Sequence, residues 1–391
     1  MFTPNKTMRL LAATAAVLLL LALYGAVNLR AGAQNTQSPS VLQQMPAPRA
    51  TPTPPTSSGA QTTVTAAPPQ DDDDEVVRVS TNLTNILFTA VDKDQRFITN
   101  LRREDVRILE DNAPQNVSTF QRETDLPLSL AILVDISKSQ EGTLPEEKEA
   151  ANAFVDSVIR PEKDKAAVIP FNGQARLVQS LTGDKTLLRS AIESIKIELP
   201  ADNPECKDLK NIAVPVDDDP RCFTDIWDAS WAAVNEVLLT TPDATRRAII
   251  LVTDGDDTNS ETKKQELIDF ATKANTTIYS IGIGDQKNYK IEEKSLLNVS
   301  EKTGGRAFFP KSKAELTAAF AQIEQELRSQ YLIAYTPANK TFNGAFRQVR
   351  IELVNPELRK QKLRLLYRQG YYAKSNSPAP VAAPSKQLKR P

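Results

Sequence analysis

The chain has no histidine. That absence removes the commonest general base, the commonest zinc ligand and every Ser-His or Cys-His catalytic pair. Cysteine is nearly as scarce. Cys206 and Cys222 are the only two, too few for a four-ligand zinc site. Neither charge is in excess: the net is −1 over 391 residues, so no global field draws the protein to nucleic acid or membrane surfaces. The basic residues are scattered, which argues against a nucleic-acid partner. No glycine-rich phosphate loop occurs, because Gly282 and Gly284 end a strand pattern without the rest of a dinucleotide fingerprint.

What is present begins with an uncharged apolar run from Leu10 to Val27, preceded by Lys6 and Arg9 and followed by Ala31-Gly32-Ala33. The small residues fit a cleavage site after Ala33, so residues 1–33 read as a signal peptide. The run also reaches the lower length limit of a spanning helix, so an uncleaved N-terminal membrane anchor is the alternative. Either reading leaves the positive residues inside and exports the rest, to the periplasm, the cell surface or the medium. Membrane contact is then expected only through that anchor. Outside the cytoplasm two cysteines tend to pair, which predicts a Cys206–Cys222 disulfide.

Residues 34–75 are rich in Pro, Thr, Ser, Ala and Gln, with eight of the 26 prolines between Pro39 and Pro69. Such a stretch buries too little apolar surface to fold and reads as a linker ending in the solvated acidic run Asp71–Glu75. Residues 76–124 read as a β segment, with alternating Val77–Ser80 and Val106–Glu110 around the strand Asn85–Val91. From 125 to 329 strands alternate with helices. Leu128–Val134 and Ala248–Val252 are nearly continuous apolar runs, as in strands buried on both faces. Helical periods follow at 144–160, 185–197, 224–239, 261–274, 292–303 and 313–328. This pattern predicts an α/β fold, a doubly wound, mostly parallel sheet with helices on both faces. Residues 330–374 return to β structure, with a hairpin turn expected at Asn343-Gly344. Each flanking segment is short for an independent sheet, so the two are expected to pair into one β-sandwich with the α/β domain inserted between them. Residues 375–391 read as a disordered tail.

The informative cluster is Asp135-Ile136-Ser137-Lys138-Ser139, immediately after a buried strand. Ligands of open parallel sheets bind at the carboxyl ends of the strands, and a turn there can aim alternate residues at one point. Asp254, in Thr253-Asp254-Gly255, follows another apolar strand on the same edge. Thr224 opens a helical pattern after an acidic loop, where its hydroxyl can cap the helix or bind metal. Carboxylates and hydroxyls are hard oxygen ligands, suited to Mg²⁺, with Mn²⁺ or Ca²⁺ as alternatives, rather than to zinc.

These residues resemble the metal-ion-dependent adhesion site of von Willebrand factor type A domains. Its pattern is Asp-x-Ser-x-Ser, a distant Thr, and an Asp within Thr-Asp-Gly. Asp135, Ser137, Ser139, Thr224 and Asp254 match it in order, and the resemblance covers about Leu128 to Ser329. The flanking β pieces, with Glu110-Asp111-Asn112 and Gly370-Tyr371-Tyr372, look like a bacterial exported group typified by acidobacterial members. The resemblance implies direct coordination by Ser137 and Ser139, engagement-dependent coordination by Thr224, water-mediated roles for Asp135 and Asp254, and an open position for an acidic residue of a protein partner. One departure stands out: the family usually has Gly where Lys138 stands. The expected function is therefore an exported, metal-dependent, adhesion-like protein-binding module, and the alternative is an exported structural or assembly protein with a vestigial metal site. No enzyme is expected, since no histidine activates Ser137 and no second Asp follows Asp135 in the aspartate-nucleophile pattern. The acidic loop from Ala201 to Phe223 is expected beside the ion, as a partner-selecting loop or a solvated insertion.

Overall fold

A computed structural model describes residues 83–122, 126–201, 219–284, 290–375 and 387–390. The apolar run, the linker and Val77–Ser80 lie outside these residues. Among the described residues no helix is long and apolar enough to cross a membrane.

The centre of the molecule is a six-stranded sheet. Its strands are β5 (Leu128–Asp135), β6 (Lys165–Phe171), β7 (Gln179–Thr182), β8 (Arg246–Thr253), β9 (Thr276–Gly282) and β10 (Ala307–Phe308), in the order β10-β9-β8-β5-β6-β7. All neighbours are parallel except β7, which pairs antiparallel with β6 at the edge. The continuous apolar character of β5 has a direct cause. Leu128, Leu130, Ile132 and Val134 enter one core, and Ala131 and Leu133 enter the core on the opposite face.

The first face is covered by α1 (Leu144–Val158), α2 (Lys185–Ser194) and α6 (Lys313–Arg328), through Phe154, Leu188 and Phe320 among others. The second is covered by α3 (Ile226–Ala232), α4 (Lys264–Lys273) and α5 (Glu293–Thr303). Trp231 stacks on Phe270 at 4.8 Å between ring centres and ties α3 to α4. The helix expected at 224–239 starts two residues later, because Asp225 is its cap residue, and it loosens into a π-turn at Ala233–Val237. Thr224 therefore does not cap it. The first N–H groups are met from outside: Asp257 accepts from Ile226 (2.8 Å), and the Ser260 hydroxyl from Trp227 (3.1 Å).

Strands from the two flanks interleave. One four-stranded sheet has the order β13-β1-β11-β4, and the other β14-β12-β2-β3. Here β1 is Thr84–Val91, β2 Val106–Glu110, β3 Ala113–Pro114, β4 Val117–Arg122, β11 Tyr331–Tyr335, β12 Phe346–Leu353, β13 Arg364–Tyr367 and β14 Gly370–Tyr372; a short helix α7 (Pro356–Lys360) links β12 to β13. Phe88, Ile108, Tyr331, Ile333, Val349 and Ile351 fill a common core. α6 runs straight into β11, so the α/β unit is inserted within this pair of sheets.

Two sequence expectations need correction. Asn343-Gly344 is no hairpin turn between paired strands: β11 and β12 belong to different sheets, and Asn343 bridges Ser375 instead. Alternation marks both strands correctly but does not say which neighbour each takes. The tail is not wholly unstructured. Within 387–390, the Lys389 N–H donates to Ala175 O (3.0 Å), the Leu177 N–H donates to Lys389 O (2.9 Å), and Leu388 is buried in the second core. One apolar side chain, these two backbone bonds, and bonds from the Leu388 N–H to Glu236 Oε1 (3.0 Å) and from Lys389 Nζ to Gln174 Oε1 (2.5 Å) hold it there.

Candidate metal centre

The carboxyl ends of β5, β8 and β9 lie side by side, with Val134 opposite Val252 and Thr253 opposite Gly282. This register brings Asp135 and Asp254 to one edge. After Asp135 the chain turns sharply. The Ile136 N–H donates to Phe171 O (2.8 Å), Ser137 is extended, and Lys138–Gln140 form one 3₁₀ turn. Lys138 is not one of the five non-glycine residues with positive φ among the described residues (Gln95, Asp111, Asn112, Asn275 and Lys362). The turn therefore makes no demand for glycine at that position.

Asp135 is fully buried and locked at both oxygens. Oδ1 accepts the Ser137 N–H (2.9 Å), and Oδ2 accepts the Thr253 hydroxyl (2.6 Å). The Ser137 and Ser139 hydroxyls lie 3.0 Å apart, and the Ser139 hydroxyl bonds the Asp254 carboxylate. Asp254 Oδ1 also accepts the Asp256 N–H (3.1 Å). Gly284 faces this group closely: a Cβ there would stand 3.1 Å from the Asp254 Cβ. Thr224 sits on the adjoining loop. Its N–H donates to the Thr258 hydroxyl (2.8 Å), the Thr258 N–H returns to its carbonyl (2.9 Å), and the Asp225 N–H holds the loop to Asn172 at the end of β6. Asp135, Ser137, Ser139 and Asp254 thus form one hydrogen-bonded cluster, and Thr224 is buried one loop away, anchored to the segment that carries Asp254.

Electrostatically the cluster is short of positive charge. Burial, and then the neighbouring Asp254, push the Asp135 carboxyl well above the usual carboxylate range. Burial raises Asp254 as well. Behind them, burial pushes Glu147 up to about 8; the Thr143 hydroxyl works against the shift, and the fields of Asp135 and Asp254 add to it. Asp257, which caps α3, is pushed up to about 6, mainly by burial. No group of three His, Cys, Asp or Glu side chains converges on one point among the described residues. The donor set is two carboxylates with hydroxyls, hard oxygens around a field that a divalent cation would neutralise. The residues fit such an ion.

Three contributors escape a reading of the motif alone. Thr253 orients Asp135, Gln140 donates to the Ser139 hydroxyl (3.4 Å), and Gly284 clears space beside Asp254. The parallel register of β5 and β8 is the signal that would have found Thr253. Cys222 is disulfide-bonded; Cys206 and most of the acidic loop, 202–218, lie outside the described residues.

Residues 129–322 match the sequence profile of the von Willebrand factor type A domain. The chain carries a von Willebrand factor type A domain, with the α/β fold of that family. Among solved structures, it is similar to the protein BatB from Bacteroides thetaiotaomicron at 20% identity, over 52% of this chain and 100% of that one, with a TM-score of 0.39. It is also similar to a von Willebrand factor type A protein from Catenulispora acidiphila, at 13% identity over 76% of this chain and 74% of that one, TM-score 0.41. A third is proximal thread matrix protein 1 of the mussel byssus with a zinc-occupied metal-ion-dependent adhesion site, at 17% identity over 56% of this chain and 50% of that one, TM-score 0.43. No curated protein matches the sequence.

Proposed function

We propose that the domain is a metal-dependent protein-binding module whose ion sits at Asp135, Ser137, Ser139, Thr224 and Asp254. The observation that carries this reading is the buried cluster joining Asp135, Ser137, Ser139 and Asp254 at the carboxyl edge of the sheet, with two carboxylates raised by burial. The family match supports it, because domains of this kind are often metal-dependent interaction modules. Mg²⁺ suits the donors best; Mn²⁺ and Ca²⁺ share their preference for oxygen.

Each residue has a task that its surroundings allow. The Thr253 hydroxyl and Ser137 N–H fix Asp135, so its charge stays pointed at the cluster. Ser137 and Ser139 present hydroxyl lone pairs from alternate positions of one turn, 3.0 Å apart. Thr224 approaches on a separate loop, tied to the Asp254 segment through Thr258, so movement of that loop alters the donor set. When bound, the ion supplies a Lewis-acidic position that an acidic side chain of the partner completes. Two carboxylates roughly neutralise a divalent ion, so a third, from the partner, is attracted at short range. Recognition rather than catalysis follows from the side chains: no histidine exists to activate Ser137. The apolar run before residue 34 and the disulfide at Cys222 support export from the cytoplasm.

The test is capture of partners from the native envelope by the full chain, in Mg²⁺ and in EDTA, beside Asp254→Ala. Partners retained only by the unaltered chain in Mg²⁺ support the reading. Equal retention in EDTA and by Asp254→Ala would instead favour a structural protein with a vestigial site.

A further inference from the structure

The segment Gln387–Arg390 is docked as a strand in a groove with two different walls. One wall is the loop that follows β6. There Lys389 bridges Arg176 in parallel, with its N–H and carbonyl bonded to Ala175 and Leu177. The other wall is α3 with its π-turn, where the Glu236 carboxylate accepts the Leu388 N–H (3.0 Å). Side chains alternate along the segment as a strand requires. Leu388 is 6% exposed and enters the second core, whereas Gln387 and Lys389 line a cavity of about 480 Å³. Strands added in this way gain affinity from main-chain bonds and selectivity from the pocket for the alternate side chain.

The end of β6 and the same loop also bear on the metal centre. Phe171 O accepts the Ile136 N–H (2.8 Å), between Asp135 and Ser137. Asn172 O accepts the Asp225 N–H (2.9 Å), and the Gly173 N–H donates to Pro220 O (2.9 Å). The Gly173 contact leaves no slack: a Cβ there would stand 2.1 Å from Pro220 O. The loop is therefore in backbone contact with both segments that carry hydroxyl donors, Ser137 on one and Thr224 on the other. The cavity joins the two ends of this arrangement, because Phe223 and Asp225 line it together with Gln387 and Lys389.

We propose that this groove is a docking site for a peptide strand with leucine followed by a basic residue, filled here by Gln387–Lys389 of the same chain, and that its occupancy tightens the metal centre. The coupling rests on the metal-binding reading above; the docking site does not. A docked strand holds Ala175 and Leu177, and so braces Asn172 and Gly173 against the segment that carries Thr224. An empty groove frees the loop, and Thr224 is the donor that follows it. Linkage makes the effect reciprocal: bound Mg²⁺ tightens the docked strand by the same factor, ordinarily about 5- to 150-fold.

Leu388→Asp in the full chain empties the groove. Hydrogen exchange over residues 172–178 in EDTA is expected to rise about 10-fold or more, as loss of one buried leucine implies. The Mg²⁺ Kd by calorimetry is expected to weaken about 5-fold or more. Leu388→Met should match the unaltered protein in both. A synthetic peptide of residues 385–391, added at about the millimolar concentration that a short tether supplies, should restore both readouts in Leu388→Asp. The same peptide carrying the Leu388→Asp change should restore neither. Restoration in trans is a result that mere damage to packing cannot give. Should Leu388→Asp fail to fold, Leu388→Ala is read in the same way. Unchanged exchange in the variant, or no restoration by the peptide, overturns the docking site. Faster exchange with unchanged Mg²⁺ affinity overturns the coupling. If the unaltered chain shows no saturable Mg²⁺ binding, the metal reading fails and the coupling with it, while exchange still decides the docking site.

Discussion

Replacing Asp135 by Asn should make the protein more stable without metal and less stable with it. Asp135 is fully buried beside Asp254, and burial first, then the Asp254 charge, raise its carboxyl; Asp254 is raised mainly by burial. The sign follows from linkage. A carboxyl whose folded pKa is raised binds its proton more tightly when folded, so stability is full below the ordinary carboxylate range and is lost as pH rises toward the raised value. The loss reaches at most about 1.4 kcal/mol per pH unit for each such group. The two carboxyls share one field, so relief from a single amide is expected at about 1–3 kcal/mol by pH 8. Asparagine keeps the shape, and its one carbonyl oxygen still accepts the Ser137 N–H, while its NH₂ turns to donate to the Thr253 oxygen, which offsets part of the relief. For a domain of this size that is roughly 2–10 °C in Tm. Bound Mg²⁺ reverses the order: at 100 times Kd the ion stabilises the unaltered protein by about 2.7 kcal/mol, and Asp135→Asn gains little. The assay is thermal melting from pH 5 to 8 in EDTA and in excess MgCl₂. Parallel curves for the two proteins in EDTA at every pH would refute the reasoning.

Other outcomes follow from single contacts. Glu110 and Arg347 form a buried ion pair at 3.2 Å, and Glu110 also accepts from Tyr335 (2.9 Å) and Tyr371 (2.8 Å); Arg347→Met is expected to cost about 3–5 kcal/mol by denaturant unfolding, with Glu110→Gln/Arg347→Met costing less than the two single changes together. Asp257→Ala removes the external cap of α3 and should cost about 1–2 kcal/mol, with Mg²⁺ affinity lowered as the neighbouring Thr224 loop loosens. Asp164 is held below the usual carboxylate range: burial opposes its charge, but hydrogen bonds from Arg160 and the Leu128 N–H outweigh it. Its contribution is present above the ordinary aspartate value and is lost as pH falls through the lowered one, so Asp164→Asn should flatten the acid limb of the stability curve.

Much of this was legible in the residues. Leu128–Val134 reads as a strand buried on both faces because its alternate side chains fill two different cores. Asp135, Ser137 and Ser139 read as a cluster because a motif after a parallel strand has one place to go, the carboxyl edge. What stayed hidden depended on long-range pairing. Asn343-Gly344 carries ordinary turn chemistry, and nothing local says that β11 and β12 part into separate sheets. Gln179–Thr182 is too short and too polar to announce an edge strand. Leu388 gains its burial in the second core, beside Glu236 and the Ala175–Leu177 loop, partners more than 150 residues away in sequence. Glu147 sits on α1 as any solvated glutamate would, and only the packing reveals that it faces inward.

The most direct test of the central claim is Mn²⁺ binding followed by electron paramagnetic resonance, on the full chain and on Asp254→Ala. The account predicts one saturable site per chain, displaced by Mg²⁺ and abolished in Asp254→Ala. Stoichiometric Mn²⁺ retention by Asp254→Ala, or no binding by the unaltered chain, would contradict it.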